Sequence, residues 1–512
     1  MRQSVYFTVG HYRETYTAHG ATTSAMHASM SKPINVIATR LNAAVLASVL
    51  VFCQGCSVNP ATGERQLTLV SENAEIQMGR EADPQIVATM GLVSDQGLQN
   101  YVNQIGQRMA ALSERPDLPW SFKVVDDPIV NAFALPGGFI YLSRGILAHF
   151  TSEAQMASVL GHEIGHVTAR HSVEQMSRAQ LAQVGLIAGT ILAPDLQNVF
   201  GAAGGALGLL FLKFGRDDER QSDDLGLRYM VRAGYDPRPM PDVFAMLSRV
   251  TAAAGGGGTP EWLSTHPDPE NREERITAAI NQLNENFDNQ IVNRNEYLDR
   301  LDGMVYGANP RNGYFRENLF LHPDLTFQIT FPAGWQTANQ TQAVLAGSPE
   351  QDAIIQLTVV PDAGTPNAAA QAFFTQEGIT GSGGATSING LSAVAGDFQA
   401  TTQQGELAGG VVFVRHGNNV FQILGYAGSQ NWSQRRNSVQ TSLTSFARLT
   451  DSEALNVQPN RLDVVTTDRG MTLRAFATEY PSVVSVEELA LINQMNVNDV
   501  LPAGTKVKRV VQ

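Results

Sequence analysis

Two histidines and a glutamate in the middle third of the chain have the types and spacing of a zinc site. Residues 161–166 read GHEIGH and contain the pattern H-E-x-x-H. On a helix, residues i and i+4 lie on one face, so His162 and His166 can direct a ring nitrogen at the same ion. Glu163 lies beside them, where it can reach a zinc-bound water as a general base. The spacing predicts metal-assisted hydrolysis; the alternative is a solvated helix with two chance histidines.

The flanking residues predict the helix that this pairing requires. Ser152 and Gln155 have the spacing of a capping box at its start. The same helix carries a stripe of small residues at Ala157, Gly161, Gly165 and Ala169. A glycine within a helix costs about 1 kcal/mol relative to alanine. Two of them beside the pattern indicate that another element must approach closely, or that the site needs them.

A hydrolytic zinc ion takes three protein ligands and keeps a fourth position for water. Residues 217–233 predict a second helix, which ends before Gly234 and Pro237. Glu219 and Asp223 lie one turn apart on a face that is otherwise apolar. We expect Glu219 to be the third ligand and Asp223 to accept a hydrogen bond from a ligand histidine, fixing its tautomer. The alternative is acidic charge favoured by the helix dipole.

Composition excludes several other kinds of protein. The 512 residues include 35 Lys and Arg against 48 Asp and Glu, a net charge of −13, and no Lys/Arg-rich run, which argues against binding nucleic acid. The two cysteines, Cys53 and Cys56, rule out a disulfide scaffold or a zinc finger built on Cys. Any metal site must therefore use histidines and carboxylates.

The N-terminal residues predict a secretory signal peptide. Residues 41–52 form an apolar run preceded by Lys32 and Arg40, too short to span a bilayer. The Gly55-Cys56 pair that follows resembles a bacterial lipoprotein cleavage site, with Cys56 lipidated. Ser57 is typical of sorting to the outer membrane of a Gram-negative envelope, and the alternative is an ordinary secretory peptide. Residues 1–29 lack any core pattern, so we expect translation to start at Met30.

Periodicity divides the chain into an α+β protein of four regions. They are residues 1–56 (extension and signal), 57–300 (a mainly helical domain with a small sheet), 311–450 (an α+β accessory domain) and 461–512 (a small terminal unit). Helices are predicted at 71–92 and 95–113, and strands at 121–125, 131–135 and 139–142. In the accessory region, apolar residues alternate with polar ones at Leu325, Phe327, Ile329 and Phe331 and again at Ile355, Leu357 and Val359, which predicts two half-buried strands. Residues 417–419 (GNN) indicate a hairpin, and helices are predicted near 367–377 and 433–448. The apolar segments 181–193 and 199–214 predict a buried or surface-covering helical hairpin, with contact to lipid as the alternative.

Several spaced elements resemble zinc metallopeptidases of the CAAX-prenyl-protease type (peptidase family M48), in the periplasmic lipoprotein branch related to HtpX and BepA. In chain order they are residues 59–63 (NPATG), residues 131–138 (NAFALPGG), the H-E-x-x-H with Glu219 and Asp223, and residues 265–269 (THPDP) with Arg272. The resemblance covers nearly the whole mature chain and implies a zincin (gluzincin) fold. Gln221-Ser222 departs from it, since the family often has Glu-Ala there.

The resemblance also implies roles for further residues. His266 would approach the zinc ion and occupy the water position as a self-inhibiting switch, and Arg272 would lie near the substrate. The sequence by itself supports mobility there, because the glycines at 255–258 lie just upstream of His266 and could act as a hinge. An edge strand at 131–135 would pair with an extended peptide. The residues assigned to substrate binding are Asn131, Ala132, Phe133 and Gly138.

The predicted function is a zinc-dependent endopeptidase that cleaves unfolded or misassembled envelope proteins. Residues 461–512 resemble a degenerate LysM module, which implies weak contact with peptidoglycan, although Met471 stands where an Asp is expected. Two alternatives remain at this point. One is a catalytically quiet chaperone or adaptor with the same fold, and the other is a lipid-anchored protein that binds the cell wall.

Overall fold

The computed structural model describes residues 56–188, 214–253, 266, 271–402 and 405–512. The signal segment, the start at Met30, the side chain of Cys56, the glycines at 255–258 and most of the two apolar segments lie outside the described residues. None of the helices in the described ranges has both the length and the apolar character needed to cross a bilayer.

The region that the sequence predicts to be a peptidase domain, called the peptidase region below, is built mainly from helices. They are α1 (Glu72–Met90), α2 (Gln96–Ala110), α3 (Arg144–His149), α4 (Glu153–Thr168), α5 (His171–Ala188), α6 (Arg216–Arg232), α7 (Met240–Ala253), α8 (Arg272–Leu283) and α9 (Arg294–Leu301). The strands of this region are β1 (Cys56–Val58), β2 (Arg65–Leu67), β3 (Ser121–Val125), β4 (Ala132–Leu135) and β5 (Phe139–Ser143). The predicted mixture of helices and a small sheet is confirmed.

Local capping sets the helix ends. The side chains of Ser71 and Asp95 accept hydrogen bonds from backbone N–H groups in the first turns of α1 and α2. Helix α1 ends at Gly91, whose φ of 70° a glycine adopts without strain. Ser152 caps α4 as predicted, but Gln155 accepts from the N–H of Thr151 rather than that of Ser152. The reciprocal half of the capping box is therefore displaced by one residue.

Helix α4, which carries the H-E-x-x-H pattern, lies in the middle of the core, and every one of its 16 residues is buried. The predicted stripe of small residues faces α6. A Cβ added at Gly161 would lie 3.0 Å from the carbonyl oxygen of Gly226, and one at Gly165 would lie 3.0 Å from that of Ser222. The glycines therefore let the two helix backbones approach, which confirms the packing need that the sequence indicated.

The small sheet has the order β3-β5-β4. Strand β3 is parallel to β5, whereas β4 is antiparallel to it, with Ala132 opposite Leu142. Strand β4 lies at an edge of this sheet, and within the described ranges it pairs with β5 alone. Among the described residues, one side of the predicted edge strand thus has no strand partner.

The accessory region contains two antiparallel sheets. Its strands are β6 (Tyr314–Arg316), β7 (Leu319–His322), β8 (Phe327–Thr330), β9 (Gln336–Asn339), β10 (Ala343–Gly347), β11 (Ala353–Val360), β12 (Ile379–Ile388), β13 (Leu391–Thr402), β14 (Gly405–His416), β15 (Asn419–Gly428) and β16 (Ala447–Arg448). One sheet has the order β12-β13-β14-β15-β11-β10-β9, and the other β16-β8-β7-β6. The helices are α10 (Pro366–Phe374), α11 (Trp432–Leu443) and α12 (Ser452–Leu455).

The strand patterns of the accessory region are largely confirmed. Phe327, Ile329 and Phe331 alternate into the core as predicted, and His416 pairs with Asn419 across a tight turn. Val359, expected on the buried face of β11, is 38% exposed near the end of that strand. The helix predicted at 433–448 ends at Leu443, and the chain returns as strand β16 beside β8.

The terminal unit packs directly on the peptidase region. Its elements are β17 (Arg461–Thr466), β18 (Met471–Thr472), α13 (Leu473–Glu479), α14 (Val486–Ile492), β19 (Val500–Leu501) and β20 (Lys506–Val511). Leu462, Leu489, Ile492 and Val510 belong to the same hydrophobic core as α4. The buried Lys508 Nζ donates to the carbonyl oxygens of Ala148 and Phe150, both at 2.7 Å. The unit that periodicity separates at 461 therefore shares its core with the peptidase region.

Candidate metal centre

Two adjacent helices bring three potential metal ligands together. Helix α4 places His162 and His166 one turn apart, with their Nε2 atoms 3.0 Å from each other. Helix α6 contributes Glu219, whose Oε1 lies 3.4 Å from His166 Nε2 and whose Oε2 lies 3.5 Å from His162 Nε2. All three side chains are buried. The close α4–α6 packing is thus what joins the histidine pair to the carboxylate.

These three residues fit a zinc ion. With metal–ligand distances of about 2.0–2.2 Å, the atoms of a tetrahedral zinc site lie about 3.3–3.6 Å apart, close to the distances found between them here. Burial lowers the pKa of both His162 and His166, which keeps the imidazoles neutral and able to coordinate. Burial alone would raise the pKa of Glu219, but the charge of His266 and hydrogen bonds from the histidines hold it well below its usual value.

Glu163 is buried beside the ligands. Within the described part of the chain, neither of its carboxylate oxygens accepts a hydrogen bond. His266 Nε2 lies 3.7 Å from its Oε1. Burial raises the pKa of Glu163 to about 7. A carboxyl group with this pKa and two unused acceptor atoms is suited to accept and return a proton near neutral pH.

His266 enters the same cluster from the segment between α7 and α8. It is buried, and its Nδ1 lies 2.9 Å from Glu219 Oε1 and 3.4 Å from His162 Nε2. Single ligand atoms of His162, His166, Glu219 and His266 all lie within 4.8 Å of one another. Burial would lower the pKa of His266, but the charges of Glu219 and Glu163 raise it. The structure therefore brings the predicted switch residue into the ligand cluster.

Asp223 and Arg272 lie on the other side of the His162 ring. Asp223 Oδ1 lies 3.0 Å from His162 Nδ1, as predicted for an acceptor that fixes the tautomer. Arg272 donates two hydrogen bonds to Asp223, from Nε at 2.7 Å and from Nη2 at 2.6 Å. Burial would raise the pKa of Asp223, but the Arg272 charge holds it far below its usual value. Arg272, expected near the substrate, is buried behind a ligand because its guanidinium pairs with this carboxylate.

The residues assigned to substrate binding lie in and beside β4. Asn131 precedes the strand, and its buried Oδ1 has no hydrogen-bond partner among the described residues. Ala132 is buried, and the Phe133 ring stacks on Tyr141 with 4.8 Å between centroids. Gly138 lies in the β4–β5 turn with a φ of 100°, and a Cβ there would meet Trp120 at 3.2 Å. The turn geometry and the Trp120 contact account for Gly138 structurally.

Two aromatic neighbours of His166 were not predicted from the sequence. His171 Nδ1 lies 2.9 Å from His166 Nδ1, and the Phe214 ring lies 4.0 Å from the His166 ring between centroids. His171 begins α5, and Phe214 precedes α6. Neither residue shares a helical period with the ligands, so no local pattern indicated them.

Part of the chain is similar to a known protein family and to several curated proteins. Residues 97–280 match the family described as Peptidase family M48. The chain is 34% identical over 217 residues to the mitochondrial metalloendopeptidase OMA1 of Arabidopsis thaliana, covering 42% of each chain. It is 30% identical over 260 residues to the beta-barrel assembly-enhancing protease of Escherichia coli K12, covering 49% of this chain and 52% of that protein.

A third relative, the mitochondrial metalloendopeptidase OMA1 of Schizosaccharomyces pombe, is 34% identical over 224 residues, covering 42% of this chain and 64% of its own length. The chain spans about half the length of the curated relatives that it matches. The matched residues include the H-E-x-x-H helix, Glu219 and His266. Residues 97–280 are therefore similar to peptidase family M48, a family of zinc metallopeptidases, and the relatives that match this part of the chain are named as proteases.

Proposed function

We propose that the protein is a zinc-dependent endopeptidase of the bacterial cell envelope. One observation carries the proposal: His162, His166 and Glu219 converge with the spacing of a tetrahedral zinc site, and Glu163 lies beside them with both oxygens unpaired in the described part of the chain. The peptidase names of the relatives support the same reaction class.

In this proposal His162, His166 and Glu219 hold the ion. Zinc bound there would supply positive charge that polarises the scissile carbonyl and lowers the pKa of a bound water from 15.7 to about 7. Glu163 takes a proton from the attacking water while the oxygen of that water bonds to the peptide carbonyl carbon. When the C–N bond breaks, Glu163 returns that proton to the leaving amine. Burial raises the pKa of this carboxyl group above its usual value, which suits a group that both accepts and returns a proton.

Arg272 and Asp223 are positioning residues in this scheme. The Asp223 carboxylate orients His162, and Arg272 holds that carboxylate while its Nη2 also lies 3.3 Å from Glu219 Oε2. His266 is proposed to hold the resting site closed, because its ring occupies space within the ligand cluster. Its withdrawal would open the position that the reacting water needs.

The proposed substrates are unfolded or misassembled envelope proteins. An extended chain could add to the open side of β4, where main-chain hydrogen bonds give affinity with little sequence demand. Asn131 Oδ1, which has no hydrogen-bond partner among the described residues, could accept an N–H from it. We further propose that a lipid on Cys56 anchors the protein to the periplasmic face of the outer membrane, and that the LysM-like terminal unit gives weak contact with peptidoglycan.

The test is cleavage of unfolded casein by the full-length, zinc-loaded protein beside Glu163→Gln and His266→Ala. We expect Glu163→Gln to retain zinc and lose turnover, and His266→Ala to cleave faster than the unmodified protein. Equal cleavage by Glu163→Gln and the unmodified protein would contradict the base assignment. Full zinc occupancy after changing both His162 and His166 to Ala would end the ligand assignment. If even His266→Ala fails to cleave, the chain is a binding protein on a peptidase fold.

A further inference from the structure

The two ligand histidines are held by different partners. His162 donates from Nδ1 to Asp223, a carboxylate. His166 has its Nδ1 2.9 Å from Nδ1 of a second histidine, His171. A histidine that binds a metal through Nε2 carries its proton on Nδ1 and needs an acceptor there. For His166 that acceptor is the unprotonated Nδ1 of His171.

This assignment sets the tautomer of His171. With Nδ1 accepting, His171 must carry its proton on Nε2, and that atom lies 2.9 Å from the side-chain oxygen Oε1 of Gln221. An amide oxygen only accepts, so Gln221 selects the tautomer of His171 that His166 requires. The donor and the acceptor of each hydrogen bond between His166 and the Gln221 amide are then determined.

The series ends on the N-terminal hairpin formed by β1 and β2. Asn59 Nδ2 donates to Gln221 Oε1 at 3.2 Å and to the carbonyl oxygen of Ala169 at 3.2 Å. Asn59 Oδ1 accepts from the N–H of Ala61 at 2.9 Å, which holds the amide in its own turn. Asn59 is 5% exposed. The hairpin is thus connected to the proposed ligand His166 on α4 by three side chains, those of Asn59, Gln221 and His171.

The other groups that face His171 are compatible with this arrangement. Ser222 Oγ lies 3.3 Å from its Nδ1, and Asp218 Oδ1 lies 3.9 Å from its Nε2. The Phe214 ring is 6.2 Å from the His171 ring between centroids. The Asp218 carboxylate faces Nε2, the nitrogen of His171 that carries the proton. Ser222 Oγ, at 3.3 Å, is farther from the unprotonated Nδ1 of His171 than His166 Nδ1 is, at 2.9 Å, so His166 is the closer donor.

We propose that His171 is a positioning residue of the metal centre, held by Gln221 and Asn59, and that the hairpin of residues 56–67 is therefore part of the zinc site. The proposal rests on the ligand role of His166 given above. It also explains why the Gln221 departure is tolerated, because an amide oxygen supplies the acceptor that His171 needs.

The experiment measures the zinc affinity of the full-length protein by competition with a chromophoric chelator, and the visible spectrum of its Co²⁺ form. Leu at 171 removes the acceptor, whereas Asn retains one near the Nδ1 position. We expect His171→Leu to weaken zinc binding about 10–100-fold and shift the Co²⁺ bands, and His171→Asn to restore most of the affinity. Gln221→Leu and Asn59→Ala should give progressively smaller losses.

The control is His149→Gln. His149 is another buried histidine of the peptidase region, with its Nδ1 2.8 Å from the carbonyl oxygen of Gly145 and no partner in the ligand cluster. The His149→Gln variant should have a lower unfolding temperature and an unchanged zinc affinity.

Unchanged zinc affinity in His171→Leu, alongside a large loss of affinity in His166→Ala, would overturn this inference alone. Unchanged affinity in His166→Ala would instead overturn the ligand assignment. If His171→Leu does not fold, Gln221→Leu decides the matter by the same measurement.

Discussion

At the scale of single residues, the centre combines an uncharged ligand pair, one charged ligand and a carboxyl group with an unusual pKa. Burial explains the uncharged imidazoles and the raised pKa of Glu163, because removal from water penalises the charged form of both kinds of group. The pKa of Glu219 stays low in spite of burial, because the charge of His266 and hydrogen bonds with His166 and His266 favour its ionised form. The proposed site therefore combines a proposed ligand that stays ionised, Glu219, with a carboxyl group suited to exchanging a proton, Glu163.

The first prediction concerns the pH dependence of turnover. Glu163 must be ionised to accept a proton, so kcat/KM should fall as the pH drops through the pKa of this group. That pKa is about 7 without a metal ion. The positive charge of bound zinc lowers it, so the acid limb should have its midpoint at or below pH 7. Casein-peptide hydrolysis measured from pH 5 to 9 tests this; a rate that rises toward pH 5 would contradict it.

The second prediction concerns Asp223→Asn. The change removes the charge of the carboxylate that accepts two hydrogen bonds from the buried Arg272, which keeps its contact with Glu219 Oε2 at 3.3 Å. Breaking a buried pair costs about 3–5 kcal/mol of unfolding free energy, and the Glu219 contact should keep the loss toward the lower end of that range. The change also weakens the acceptor for His162, so zinc affinity should fall about 10–100-fold. Urea unfolding and chelator competition measure the two effects. The matched control is Asp224→Asn, because Asp224 is exposed and pairs with Arg275 at the surface; it should change neither quantity appreciably.

At the scale of elements, the metal centre depends on how closely α4 and α6 pack. The backbones of α4 and α6 approach each other at Gly161 and Gly226. A Cβ added at either glycine would lie 3.0 Å from a backbone atom of the other helix. Two of the three proposed ligands come from one helix and the third from the other. The separation of the helix axes therefore sets the distance between the histidine pair and Glu219.

The third prediction is that Gly161→Ala destabilises the protein and weakens zinc binding together. Alanine favours a helix over glycine by about 1 kcal/mol, but overpacking against the α6 backbone costs about 1–3 kcal/mol. Gly97→Ala in α2 is the control, because Gly97 is exposed and its added Cβ meets only the side chain of Asp95. Thermal unfolding and zinc titration should show losses for Gly161→Ala alone; equal results for both variants would contradict the packing argument.

At the scale of the whole molecule, the terminal unit and the peptidase region are one packed body. The terminal unit supplies apolar residues to the core around α4, and Gln494 donates to the carbonyl oxygen of His149. Lys508 is the polar part of this contact, and burial lowers its pKa well below the usual value. Its two carbonyl acceptors on Ala148 and Phe150 lie immediately before α4. The unit therefore supports the helix that bears the ligands.

The fourth prediction compares two lysines of β20. Lys508→Ala leaves two buried carbonyl groups without a donor, at about 1–3 kcal/mol each, and removes a buried side chain. Lys506→Ala removes only a surface pair with Asp299, worth about 0–1 kcal/mol. Urea unfolding should show a loss for Lys508→Ala several times that for Lys506→Ala. Similar losses would mean that the terminal unit does not stabilise the peptidase region through this residue.

The sequence by itself determined what depends on local geometry. The spacing of His162, Glu163 and His166 requires only that α4 be a helix, and its cap and its small residues specify one. The same holds for the Glu219–Asp223 pair on α6 and for the strand alternation in β8. In each case the periodicity of a single element places the side chains, so no knowledge of the rest of the chain is needed.

Only the tertiary structure decided which of these faces meet. Asp223 lies 61 positions from His162, and Asn59 lies 162 positions from Gln221. No periodicity relates residues at such separations, so the His171–Gln221–Asn59 series, the buried position of Arg272 and the shared core of the terminal unit could not be predicted. They follow from packing, because the approach of the α4 and α6 backbones at Gly161 and Gly226 determines which side chains come within hydrogen-bonding distance.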